Sequence, residues 1–191
     1  MNWMDQIGGL LQQYANKKDD DPYDDADRDF DQISQQAPPQ AVSQGLSEAF
    51  RSDATPPFPN MLGQLFGKSD PSQRANILNM LLSTAGPALL SGAMSRGGGA
   101  GAMGGGLGGV LGQLGGMLSS GQQQVPPEVA AQVPPQAVEQ LAQQAQQQDP
   151  SIVDRVSDFY AQNPTVVKTL GAVALGIAMR HLAKQKGGGL F

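Results

Sequence analysis

Residues 97–116 read GGGAGAMGGGLGGVLGQLGG, and twelve of these twenty residues are glycine. Glycine loses more backbone freedom on ordering than any other residue, so such a run resists regular structure and divides the chain that carries it. Whatever folds here must be built on either side of the run. On either side lie two segments that look like versions of one helical unit.

The first version is ISQQAPPQAVSQGLSEAF (33–50) and the second is VAAQVPPQAVEQLAQQAQ (129–146). Both contain PPQAV, at Pro38–Val42 and Pro134–Val138. Proline suits the first turn of a helix, where its missing N–H has no partner to lose. Val42, Leu46 and Ala49 then form one apolar stripe, and Val138, Leu141, Ala142 and Ala145 form the other. A second helix follows in each copy, over 58–67 and 151–161, with Leu65-Phe66 matching Phe159-Tyr160. Each copy restarts at Asp70-Pro71 or Asn163-Pro164, where Asp or Asn is suited to cap the new helix. The third helices carry Ile77, Leu78, Leu81 and Leu82, and Val166, Val167, Leu170, Val173 and Ile177. Gly86-Pro87 predicts a kink or break in the first of these, with a short helix beyond it.

The remaining segments fall outside the repeat. Residues 1–17 place Trp3, Ile7, Leu10, Leu11 and Tyr14 at helical spacing, as in an amphipathic helix. Its stripe has two readings: docked on the body, or in contact with a partner or a membrane surface. Only Lys17 and Lys18 follow it, whereas helices lying on a membrane carry Lys and Arg along their polar face. Residues 18–28 form an acidic linker, for eight of the 17 acidic residues lie between Asp19 and Asp31. A calcium loop is not expected there, because the glycine at its sixth position and the glutamate at its twelfth are missing. The division is therefore 1–17 amphipathic helix, 18–28 acidic linker, 29–95 first helical unit, 96–124 Gly/Leu-rich connection, 125–186 second helical unit and 187–191 flexible tail. Residues 18–28 and 97–106 have little to bury and are expected to be mobile.

Composition removes several function classes. Hydrophobic residues make up 39 % and aromatics 5 % of the 191 residues, so any core is small and aliphatic. The chain has no cysteine and one histidine, which removes disulfides and the common zinc sites. A net charge of -5 does not favour nucleic-acid binding. The N-terminus lacks the basic and continuously apolar regions of a secretory signal, leaving the cytoplasm as the expected location. The apolar run Thr169–Met179 is shorter than the about 20 residues that a membrane span needs. No nucleophile motif is present, the Gly-rich run lacks the Gly-Lys-Ser/Thr ending of a phosphate loop, and His181 is read as a cation near the end of the last helix. Glycines four apart, at Gly101, Gly105 and Gly109 and at Gly108, Gly112 and Gly116, allow a close helix pairing as an alternative to a plain linker. Ala172 and Gly176, beside Val173 and Ile177, are candidates for close helix packing against the helix around Ile77–Leu82.

ILNMLLSTAGPALLSGAMSR followed by GLGGVLGQLGGML resembles the bacterial YidB-like proteins, over residues 70–118. That resemblance implies a bacterial, helical, non-enzymatic protein and carries no activity. The expected fold is all-α: two related three-helix units joined by a Gly-rich flexible segment, with an N-terminal amphipathic helix. The expected function is that of an uncharacterised non-enzymatic interaction or scaffold protein that binds a protein partner or itself. No catalytic residue, metal, cofactor or small-molecule substrate is expected. The alternative is a peripheral membrane-associated protein using the N-terminal helix and the Gly/Leu segment.

Overall fold

The computed structural model describes residues 7–17, 25–95 and 124–187, together with Gly116. All regular structure among these residues is helical: α1 (Gly8–Ala15), α2 (Ala26–Gln36), α3 (Pro39–Arg51), α4 (Phe58–Lys68), α5 (Pro71–Ser95), α6 (Pro127–Ala130), α7 (Pro135–Gln148), α8 (Ile152–Ala161), α9 (Pro164–Val167), a 3-10 turn (Lys168–Leu170) and α10 (Ala172–Gly187). Trp3, residues 18–24, nearly all of the Gly/Leu connection and the tail beyond Gly187 lie outside the described residues.

The two PPQAV segments build the same local structure. Pro38 is extended (φ -62°, ψ 143°) and Pro39 opens α3; Pro134 is extended (φ -72°, ψ 148°) and Pro135 opens α7. The first proline of each pair is held off the helical region by the one after it, and the second presets the first helical φ. The two restarts differ. At Asp70 the carboxylate accepts from the Gln73 amide at 2.9 Å, while the Gln73 side chain accepts from the Asp70 amide at 3.1 Å, a reciprocal capping box. Asn163 gives α9 no such cap, contrary to the sequence expectation; its side-chain amide donates back to the Phe159 carbonyl at 2.9 Å.

Gly86-Pro87 does not end the helix, and α5 continues from Pro71 to Ser95. Proline removes one donor, and its clash with the preceding residue is relieved when that residue is a glycine without a Cβ. The break falls in the C-terminal segment instead. Pro164–Leu170 and Ala172–Lys184 meet at 118°. Gly171 lies between them at φ 88°, ψ 163°, a conformation that side-chain-bearing residues rarely adopt. A Cβ at Gly171 would meet nothing within 4 Å, so the cost of adding one is backbone strain alone. Gly171→Ala should therefore destabilise the fold by about 1–2 kcal/mol, read from the urea midpoint.

The described residues group into two compact units that do not follow chain order. Unit 1 is Met1–Met61 with Val153–Phe191, and unit 2 is Leu62–Ile152. This differs from the division 29–95 and 125–186 expected from the sequence. In unit 1, α10 packs on α3, α1 and α2. Leu11, Phe30, Ile33, Leu46, Val156, Tyr160, Leu175 and Leu182 are buried there, and Phe50 meets Phe58 edge-on at 5.5 Å. The acidic stretch is shorter than expected, because α2 begins at Ala26 and buries both Ala26 and Phe30.

In unit 2, α5 packs on α6 and α7. Leu65, Phe66, Leu78, Leu81, Ala137, Val138 and Leu141 line its core. Arg74 closes the C-terminal end of α4: its guanidinium donates to the carbonyls of Phe66 (2.9 Å), Gly67 (2.9 Å) and Ser69 (3.0 Å) and stands over the Phe66 ring. Carbonyls at the end of a helix lack the usual partner one turn on, and a cation is favoured there; the Phe66 carbonyl also accepts from the Ser69 amide at 3.2 Å.

Candidate functional site

A concavity lined by polar side chains lies within unit 1. It is an open cleft of ≈ 440 Å³ between α3 and α8, with His181 of α10 on its wall. Helical spacing builds both rims. Ser43, Ser47 and Arg51 recur every four residues along α3, and Asp154 and Asp158 do the same on α8. Side chains four apart share a face of a helix, so two polar rows confront each other beside the apolar seam.

The rows are tied together. Arg51 grips Asp154 through two parallel bonds, Nη1 to Oδ1 and Nη2 to Oδ2, each 2.8 Å. The Ser47 hydroxyl donates to Asp154 and accepts from Arg51. The Ser43 hydroxyl donates to Asp158 Oδ1 at 2.5 Å. Both serines are buried, whereas Arg51 and Asp154 keep about half of their side-chain surface in water (43 % and 51 % exposed). The Arg51 hydrogen bonds hold the Asp154 carboxyl below its ordinary value; Ser47 and the nearby positive charge act in the same direction, and burial opposes them. Arg51 is raised in turn, chiefly by its hydrogen bond to Asp154.

A depressed carboxyl stabilises the fold above its unfolded pKa, and that contribution is lost as pH falls through the folded value. Asp154→Asn should thus cost about 1 kcal/mol or less near neutrality, since an exposed pair is screened by solvent. The deficit relative to wild type should shrink as urea titrations move to pH below the ordinary carboxylate range. A deficit that is constant with pH would mean that the pair contributes no ionic term.

Chemically, the arrangement fastens helices. Each serine spends its proton on a carboxylate. His181 Nδ1 lies 3.9 Å from Glu48 Oε2, and that carboxylate is the acidic group beside it. Among the described residues, no group of three His, Cys, Asp or Glu side chains could hold a metal ion.

The residues singled out from the sequence lie elsewhere. Ile7, Leu11 and Tyr14 are buried, with α1 packed on α10; Leu10 is half-buried. Tyr14 also donates its hydroxyl to Asp29 of α2 at 2.5 Å. Gly176 is buried and Ala172 half-buried, while Val173 is 43 % exposed. The helix they belong to packs on α3, α1 and α2, and the segment Ile77–Leu82 belongs to unit 2. Gly45 of α3 makes a close approach to this helix: a Cβ there would lie 2.7 Å from the Ala178 carbonyl oxygen of α10. An isolated glycine inside an amphipathic helix was the available signal.

Among the described residues no single helix is long and apolar enough to cross a membrane; the bent pair Pro164–Leu170 and Ala172–Lys184 passes by length and composition alone. Its Val167, Leu175, Ile177 and Leu182 are buried in the structure. Comparison with protein-family models, curated proteins and solved structures finds no match for the chain.

Proposed function

We propose that this is a non-enzymatic helical interaction or scaffold protein that self-associates, resident in the cytoplasm. The observation that carries the reading is the use of polar chemistry in the unit 1 cleft. Its hydroxyls and carboxylates are paired with one another across α3 and α8, an arrangement that fixes helix positions rather than presenting a free nucleophile or base. The resemblance of residues 70–118 to YidB-like proteins agrees with a bacterial protein of this kind and adds no activity.

Light scattering after size exclusion of the full chain tests the proposal. The expected result is a mass above that of one chain, rising with concentration; a single-chain mass at every concentration defeats self-association. A peripheral membrane role would require the stripe of α1 to leave α10. Under the scaffold reading, the native protein should remain in the soluble fraction when membranes are washed with carbonate.

A further inference from the structure

We propose that the chain is a duplicated helical unit whose two copies have exchanged halves, and that the partner it fits is a second copy of itself. This rests on the self-association reading and names how the association is made.

The two copies align in order. A front half consists of a leading helix and the PPQAV helix: α2 and α3 in the first copy, α6 and α7 in the second. A back half consists of the aromatic-ended helix and the Pro-initiated segment after it: α4 and α5, then α8 with α9 and α10. Unit 1 holds the front of the first copy and the back of the second, while unit 2 holds the back of the first, from Leu62 on, and the front of the second.

The pairings inside the two units are reciprocal. In unit 1 the last helix, α10, packs on α3 and α2; in unit 2 its counterpart, α5, packs on α7 and α6. The register agrees as well. Ser43 and Glu139 follow PPQAV at the same distance. Ser43 meets α8 at Asp158. Glu139 meets α4 at Gly63, where a Cβ would lie 2.6 Å from its Cγ. When Leu65-Phe66 is aligned with Phe159-Tyr160, Gly63 falls at Ser157, next to Asp158. The same position of the front helix thus touches the same turn of the back helix in both units.

A front half here recognises the back half of the other copy. Nothing in such a contact requires the two halves to share a chain, since the same side chains meet when a second molecule supplies one of them. Within one chain the choice is set by effective concentration, through the connection over residues 96–124 between the two parts of unit 2. A duplicated chain with exchanged halves is the single-molecule form of a domain-swapped dimer, and opening unit 2 exposes two surfaces that a second open chain satisfies.

The absence of native cysteine makes the test direct. Position 63 lies close enough to Glu139 for their Cβ atoms to meet disulfide geometry. The full-length double variant Gly63→Cys/Glu139→Cys should oxidise within one chain; failure to do so overturns the exchanged architecture. Next, full-length Gly63→Cys and full-length Glu139→Cys are mixed, unfolded in urea, refolded together at high protein concentration and oxidised. The expected product is a covalent dimer joining position 63 of one chain to position 139 of the other, in large excess over like-with-like dimers by peptide mapping. No covalent dimer, or the proportions of random pairing, overturns exchange between molecules. A native multimer without the mixed disulfide defeats the exchange and leaves self-association standing. A native monomer that yields the mixed disulfide on refolding does the reverse.

Discussion

Leu11→Ala should lower the unfolding free energy by about 2–5 kcal/mol, the usual cost of emptying a filled core site. Leu11 is fully buried, and Ile7 and Tyr14 beside it are 2 % exposed, with α1 packed on α10. The same substitution in a stripe waiting for a membrane or a partner would leave the isolated protein unchanged. Urea unfolding of the purified chain separates the two readings by sign and size. An unaltered midpoint would return α1 to the role of an external contact.

Gly45→Leu is expected to be nearly as damaging, at about 3 kcal/mol, the upper end of the usual range for overpacking. The first added carbon would lie 2.7 Å from the Ala178 carbonyl oxygen and 3.2 Å from its carbon. These are backbone atoms of α10, so relief requires two helices to separate. Replacing a helical glycine removes a penalty of about 1 kcal/mol, which offsets only part of the cost. Gly63→Ala is the contrast. Its Cβ would meet the side chain of Glu139, which can turn away, so that variant should be close to neutral. Chemical denaturation of both variants checks the pair: equal effects would mean that α3 and α10 do not cross closely at Gly45.

Local structure was legible because it depends on near neighbours. PPQAV starts a helix twice since each proline restricts its own turn and the residue before it. The stripe Ile7, Leu11, Tyr14 is visible in the sequence as an apolar face, and these three side chains are buried in the structure. Gly86-Pro87 does not break α5, because a glycine before the proline removes the Cβ that would have clashed. Gly171 leaves no mark in the sequence pattern, because its special feature is a φ of 88°, which no spacing announces.

The candidate site was harder. Ser43, Ser47 and Arg51 on one helix and Asp154 and Asp158 on another each show a four-residue rhythm that the sequence displays. That the two rows face each other is a tertiary fact linking positions more than a hundred residues apart. A repeat read along the chain suggests units that are contiguous in sequence. Which copy's helix covers which core depends on chain connection, and helical periodicity carries no information about that.

The composition of unit 1 also sets an order of events as the chain is made. Unit 2 is one continuous stretch, Leu62–Ile152, whereas unit 1 needs both Met1–Met61 and Val153–Phe191. On a ribosome the first-made helices, α1 to α3, must therefore wait until α10 emerges before Val42, Leu46 and Phe50 can be covered as they are in the finished protein. At about 5–20 residues per second that wait is on the order of ten seconds. The segment carrying α1 to α3 thus stays longest without its final cover, although it leaves the ribosome before the other described helices.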